Sequence, residues 1–183
     1  MRRVLEEIGT EYRLFGEASL ISSLVQQIPN LTPIRNIVWM DATTSLPELG
    51  TPRAQWLNDQ HAKGIQSLFT NFFPDSYAQP GCSGVDRWAG VLAGAADPMP
   101  LAVAADAWSS AGCGFLAGVI THPSARGRGL AQLVCRFVVD SLISQYGRAA
   151  LMVHADNDPA IAAYERIGMR KRPFLAAHVA CSS

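Results

Sequence analysis

The sequence predicts an α/β (α+β) protein with a mixed, mostly antiparallel, twisted sheet flanked by helices and preceded by an N-terminal βαβ extension. Three observations carry that expectation. Leu130, Leu133, Val134, Phe137, Val138 and Ile143 recur at helical spacing, so residues 129–146 form a long amphipathic helix. Three apolar runs precede it, at residues 88–93, 101–107 and 114–121. Turn signals at Asp97-Pro98 and at residues 109–112 separate them, the pattern of an antiparallel meander. Beyond the long helix, strand-like and helix-like stretches alternate, which gives the order β-β-β-α-β-α-β for the C-terminal part.

Taken in order, residues 2–9 are expected to form a short helix and residues 12–15 a short strand. Leu20, Ile21, Leu24, Val25 and Ile28 set a helix over residues 18–28, stopped by Pro29-Asn30. Residues 34–40 are a second strand and complete the βαβ piece. Residues 41–53 are rich in Pro, Thr and Ser and read as a loop or linker. The expected division is therefore an extension over residues 1–45, either a separate βαβ piece or part of a second unit like the one that follows, and a main domain over residues 50–183. Residues 55–72 are expected as one helix, with Leu57, His61, Ile65, Leu68 and Phe72 near one face, ended by Pro74. Residues 75–84 are loop-like. Past the long helix, Gly147 sits where a C-terminal cap belongs, and residues 149–154 are a short buried strand. Asp158-Pro159 opens another helix as N-cap and first-turn proline. That helix buries Ala160, Ala163, Tyr164 and Ile167 and stops at Gly168, and residues 174–179 form the last strand.

Of the 183 residues, 49% are hydrophobic, enough for a sizeable core, and 15 Lys+Arg balance 15 Asp+Glu. That balance argues against the broad basic footprint of a nucleic-acid binder, while leaving room for a small basic pocket. Cys82, Cys113, Cys135 and Cys181 form no C-x-x-C pair, and no His stands at zinc-ligand spacing from them. They read as reduced structural thiols, and no metal is expected. The two N-terminal arginines have no apolar run behind them, and no stretch approaches the roughly 18 apolar residues of a membrane span. A cytoplasmic protein without membrane or nucleic-acid partners is the expectation.

The segment that carries chemistry is Thr121-His122-Pro123-Ser124-Ala125-Arg126-Gly127-Arg128-Gly129-Leu130-Ala131, between an expected strand and the long helix. A helix N-terminus presents free backbone N–H groups and the positive end of a dipole, so it is an anion site. Gly127 and Gly129 let the backbone approach a ligand, and Arg126 and Arg128 can fork onto phosphate oxygens. A diphosphate fits this arrangement. A dinucleotide-binding G-x-G-x-x-G would need glycine at position 132, which is Gln132, and a Walker loop would need G-K-S/T, which is absent. A glycine-rich turn with solvated arginines is the remaining alternative.

The run R-G-R-G-L-A resembles the R/Q-x-x-G-x-G/A pattern of the GNAT superfamily of N-acetyltransferases, with Arg126, Gly129 and Ala131 at its fixed positions. Asp156-Asn157-Asp158-Pro159-Ala160 through Tyr164-Glu165-Arg166-Ile167-Gly168-Met169 is similar to the family's second motif, N-x-x-A-x-x-x-Y-x-x-x-G-F, with Met169 in place of Phe. The resemblance covers residues 85–180 and is greatest to the branch that includes glycine N-acyltransferase-like proteins. It implies acyl transfer from acetyl-CoA or another acyl-CoA to the amine of a small molecule or amino acid. It also implies roles for particular residues. Val119, Ile120 and Thr121 would pair with the pantetheine arm. Arg126, Gly127, Arg128, Gly129, Leu130 and Ala131 would hold the pyrophosphate. Asn157 would contact the pantetheine, and Tyr164 would act as general acid toward the leaving thiolate, a phenol having a pKa near enough to a thiol's to return a proton. A strand amide, such as that of Val119, would stabilise the oxyanion.

Plainer roles stand beside these: Tyr164 as a core residue and Asn157 as a helix cap. The general base is open. Many relatives carry Glu on the strand before the loop, where this chain has Phe115, Leu116 and Ala117. Asp106 and His122 are the candidates, with His154 or a water chain behind them. Without that Glu, a non-catalytic acyl-CoA sensor or interaction module on the same fold is the alternative. The βαβ extension is expected to shape the acceptor site or to form a homodimer contact, and Trp39, Trp56, Phe72, Phe73 and Trp88 are candidates to line an acceptor pocket.

Overall fold

The computed structural model describes residues 13–45, 54–94 and 99–179. The expected helix at 2–9, Tyr12 at the start of the first strand and the Asp97-Pro98 turn lie outside the described residues. The chain divides into two compact units, one from Met1–Met40, Met152–Ile161 and Lys171–Ser183, the other from Asp41–Leu151 and Ala162–Arg170.

In the first unit, β1 (Arg13–Glu17) leads into α1 (Ala18–Gln27), and β2 (Leu31–Ala42) follows. Asn30, at φ 67°, makes the turn between them, a left-handed conformation that Asn tolerates better than most residues. The two strands do not pair with each other. A C-terminal strand, β8 (Arg170–Val179), lies between them, in the order β1-β8-β2. β1 runs antiparallel to β8, from Arg13↔His178 to Glu17↔Phe174. Ile21 from the helix packs with Leu31, Leu175 and Ala177, so the N-terminal piece builds its core with the C-terminus of the chain. Phe174 stacks with Trp39 at 5.6 Å and meets Phe15 at 5.1 Å.

The second unit contains β3 (Gln55–Trp56), α2 (Ala62–Phe72), β4 (Val85–Leu92), β5 (Pro100–Ala107), β6 (Gly114–Thr121), α3 (Leu130–Tyr146) and the first half of β7 (Ala149–His154). Its strands lie in the order β7-β6-β5-β4-β3. β3, β4, β5 and β6 pair antiparallel, the meander expected from the three apolar runs. β6 and β7 are parallel, and the long helix α3 is the crossover that such a pair requires. α4 (Asp158–Arg166) follows β7, one residue after Asn157.

Residues 55–72 are not one helix. Gln55 and Trp56 pair with Gly90 and Ala89, and a 3₁₀ turn at Asp59–His61 precedes α2. The reason lies at Asn58, whose backbone N–H donates to Nδ1 of His61 at 3.2 Å in a reciprocal capping box. Such a box satisfies the amides of a helix start and fixes the entry point there. β2 and β8 are also longer than the runs expected for them: the exposed Arg170, Lys171 and Arg172 extend β8, and β2 gains Leu31, Thr32 and Pro33 at one end and the buried Asp41 and Ala42 at the other.

The core of the second unit is Ile65, Leu68 and Phe69 of α2 against Val103 and Ile120 of β5 and β6, with Trp88 and Leu57 beside it. On the other side, α3 lies so close to β6 that a Cβ at Gly114 would come within 2.7–2.8 Å of Leu142 and Tyr146. Phe69 is fully buried and meets the Trp88 ring edge-on at 5.1 Å. Phe69→Ala is expected to lower the unfolding free energy by about 3–5 kcal/mol, read as a drop in urea midpoint at unchanged slope.

Candidate functional site

The site begins where β6 ends. His122 turns the chain into a 3₁₀ turn, Pro123–Ala125, and its Nδ1 accepts the Ser124 N–H at 3.3 Å while facing the Ser124 hydroxyl at 2.7 Å. Ala125 is buried and anchors the turn. Gly127 and Gly129 follow at φ 75° and 73°, and a Cβ at either would meet nothing within 4 Å. Glycine is needed there for the backbone conformation, and the space beside it is open. α3 starts directly afterwards, its first-turn bond running from Leu133 N to Gly129 O at 3.2 Å. No side chain caps this end and no acidic residue lies in the first turn. The amides of Leu130, Ala131 and Gln132 are therefore the orphan donors of the helix start.

Arg126 and Arg128 are exposed beside those donors, and neither pairs with a carboxylate among the described residues. Cations near the positive end of a helix dipole are unfavourable by a few tenths of a kcal/mol each, at about 0.3–1 kcal/mol for a single charge. Two arginines, free amides and no acid at one helix start are a local electrostatic conflict that a bound anion resolves.

The strand leading to this loop has an open edge. The parallel ladder of β6 with β7 consists of Gly114↔Ala149 and Phe115↔Ala150 and runs no further among the described residues. Gly118 then bulges at φ 60°, where the β5 register slips between Val103↔Ile120 and Ala105↔Ala117. Before the bulge, Gly114 N points toward β7 and bonds Arg148 O at 2.8 Å. After it, His122 N points toward β5 and bonds Leu101 O at 2.8 Å. Backbone polarity alternates along a strand, so beyond the bulge Val119 and Thr121 present their N–H and C=O to the open edge. Ile120 presents its own to β5 and buries its side chain in the α2 core. Of the three positions matched to the pantetheine arm, Val119 and Thr121 face the open edge and Ile120 does not. Gly118 was missed from sequence, although an isolated glycine inside an apolar strand signals a bulge. A Cβ there would strike the Trp88 ring at 2.6 Å.

Tyr164 lies in α4, 9% exposed, with Cys135 of α3 near it. Burial pushes its phenol well above the ordinary value, and the neighbouring Cys135 adds to the shift. The phenol keeps its proton across the physiological range, which suits a donor and rules out a base. Asn157 caps α4, its Oδ1 accepting the Ala160 N–H at 3.2 Å. It thus takes the cap position expected of Asp158, one residue later.

The two candidate bases are both engaged. Asp106 is 1% exposed. It accepts from Arg87 Nε at 3.2 Å and from the Ser109 hydroxyl at 2.5 Å. Ser109 in turn accepts the Phe115 N–H at 2.8 Å, and Arg87 reaches Gln145 at 2.8 Å and lies 3.9 Å over Trp56. Both carboxylate oxygens of Asp106 are thus occupied by protein donors, Oδ2 by Arg87 and Oδ1 by Ser109. Its register partner is Leu116, about 15 Å along β6 from the loop at roughly 3.3 Å per residue. His122 uses Nδ1 as the acceptor of its own cap and packs edge-on against Phe72 at 5.0 Å. It adjoins the loop rather than the middle of β6. His154 faces Arg35 at 3.1 Å in the first unit.

Residues 93–178 match the family model described as FR47-like protein. No curated protein matches the chain. Among solved structures, a GNAT-family protein of Novosphingobium aromaticivorans superposes with a TM-score of 0.67 at 25% identity, covering 85% of this chain and 70% of the other. The GCN5-related N-acetyltransferase of Kribbella flavida gives 0.62 at 20% identity, covering 99% and 73%. A GNAT-family acetyltransferase of Colwellia psychrerythraea gives 0.63 at 15% identity, covering 90% of this chain and 63% of its own.

A raised phenol pKa has a consequence for stability. The unfolded chain releases the Tyr164 proton at the ordinary value of 10.0 while the folded one retains it. The stabilisation is complete below that value and is lost as pH rises above it. Wild-type protein is therefore expected to lose stability steeply above pH 10, and Tyr164→Phe to flatten that limb, read from urea midpoints across alkaline pH.

Proposed function

We propose, from the premise that this chain belongs to the GNAT superfamily, that it is an N-acyltransferase that moves an acyl group, most simply acetyl, from coenzyme A to the amine of a small molecule or amino acid. The GNAT fold supports acyl transfer from acyl-CoA in general. The single observation that carries the finer reading is the start of α3, with orphan amides, two positive-φ glycines and two arginines without acidic partners at one point. The residues present fit a diphosphate there, since donors and charge are supplied and, among the described residues, no side chain caps those amides.

In this reading Arg126, Arg128 and the amides of Gly127, Gly129, Leu130 and Ala131 bind the diphosphate. The Val119 carbonyl and the Thr121 N–H and carbonyl bond the pantetheine amides along the open edge of β6, which leaves the Val119 N–H free for the thioester. The acyl thioester supplies the electrophilic carbonyl. The amine nitrogen forms the new C–N bond as the C–S bond breaks, and the Val119 amide receives the charge that develops on the carbonyl oxygen. Tyr164 donates a hydrogen bond to the departing sulfur, and the proton given up by the amine reaches that sulfur through water. Because burial raises its pKa, Tyr164 serves as a hydrogen-bond donor that is always charged with its proton, rather than as a strong acid. Asp106 holds the β5–β6 hairpin through Ser109. Proton removal from the amine falls to a water chain.

Two measurements test this. Incubating the protein with acetyl-CoA and a panel of amines is expected to release free thiol, with Tyr164→Phe slowing turnover by about 100-fold or more at unchanged coenzyme A affinity. Absence of thiol release with every amine, in protein that binds coenzyme A, would favour the sensor reading, which draws on the lack of any carboxylate on β6 (Phe115, Leu116, Ala117). Separately, Arg126→Ala is expected to weaken coenzyme A binding by about 1.5–3 kcal/mol in calorimetry. Equal affinity in the variant would remove the loop from the site.

A further inference from the structure

The connection from α2 to β4, residues 73–84, lies against the Gly118 bulge. The carbonyl oxygen of Ala78 stands 3.2 Å from where a Cβ of Gly118 would be, on the side that Trp88 also covers, and Ala78 itself is 2% exposed. The segment is held rather than loose. Gln79 folds its amide back onto the carbonyls of Pro74 and Ser76, and Ser76 Oγ donates to Ala78 O at 2.9 Å. At the far end, Trp108 Nε1 donates to Ser83 O at 3.1 Å and Trp108 N to Gly84 O at 2.6 Å. Compact loops tied by their own side chains are frequently functional.

Within this tied loop Tyr77 is 80% exposed, next in sequence to the buried Ala78. Phe73, where the loop starts, and Phe72 before it are each 41% exposed. An aromatic ring that faces water while its neighbour is pinned against the bulge gains nothing for the fold. The chain nevertheless fixes the backbone around it with three side-chain bonds. The bulge immediately precedes Val119, whose amide the proposed reaction uses, so Ala78 meets the strand one residue before that amide.

We propose that residues 73–84 form the acceptor-side wall of the site and that Tyr77 contacts the acceptor, which therefore carries an aromatic or extended apolar group near its amine. This rests on the acyltransferase reading and names the substrate class for the same site. The wall offers aromatic faces at Tyr77 and Phe73, with Phe72 of α2 next to it, and contributes one acid, Asp75, two positions before Tyr77. A protonated arylalkylamine matches that combination better than a short polar amine does.

The test compares phenethylamine with ethanolamine as acceptors, in wild-type protein, Tyr77→Ala and Tyr77→Phe. Wild-type protein is expected to favour phenethylamine in kcat/KM. Tyr77→Ala should raise the phenethylamine KM about fivefold or more, the scale of one aromatic contact, with the acetyl-CoA KM unchanged, and Tyr77→Phe should restore it. Amine binding to the coenzyme A complex, followed by calorimetry, should change in parallel. A wild-type preference for ethanolamine, or an unchanged phenethylamine KM in Tyr77→Ala, would overturn the wall while leaving the acyltransferase intact. Coenzyme A binding with no amine binding to the complex would overturn both.

Discussion

Everything in the proposed site depends on a strand that loses its neighbour partway along. β6 is bonded to β7 at Gly114 and Phe115 and then continues to Thr121 with one edge open. Backbone N–H and C=O groups are obligatory hydrogen-bonding partners, so an open edge in an otherwise paired sheet is a template for an extended ligand. The bulge at Gly118 decides which residues supply that template. One extra residue reverses the alternation, so that Val119 and Thr121 face outward and Ile120 is left to the core. The same bulge brings Trp88 and Ala78 over the strand and couples the edge to the wall of residues 73–84.

The second constraint is electrostatic. Helix starts are ordinarily stabilised by acidic side chains or by Ser, Thr, Asn or Asp caps. α3 has a left-handed glycine in the cap position, with arginines on the exposed residues before it. The arrangement leaves the first-turn amides without a protein partner, the kind of local rule-breaking expected where a ligand is to be bound. The seventeen-residue helix behind it is anchored by Val134, Cys135, Val138, Val139 and Leu142, all fully or almost fully buried.

Much of this was legible in the residues themselves. The boundaries of β6 and β7 fall where the apolar runs do, and the start of α3 where the glycine-arginine loop ends, because these elements lie in a core that demands an uninterrupted apolar pattern. The helix expected over 55–72 failed because periodicity extends through Leu57 and His61, while a side-chain cap at Asn58, which no hydrophobic pattern records, sets the start of α2 later. The N-terminal piece read as a local βαβ unit, since its strands flank a helix in sequence. That β8 inserts between them is a long-range pairing that short-range signals do not carry. Asp106 looked available as an acid on a strand, and only three dimensions reveal Arg87 and Ser109 closing on it. Motif spacing singles out Tyr164 and Asn157 in the sequence, while the cap made by Asn157 and the desolvation around Tyr164 are consequences of packing.

The most direct measurement is an amide-resolved NMR titration of the protein with coenzyme A, following the backbone signals of Gly127, Gly129, Leu130 and Ala131. Saturable shifts concentrated on these amides, with smaller ones at Val119 and Thr121 and little change at Ile120, are the expected result. Resonances at the start of α3 that stay put in excess coenzyme A, or shifts confined to another part of the chain, would contradict a diphosphate site there.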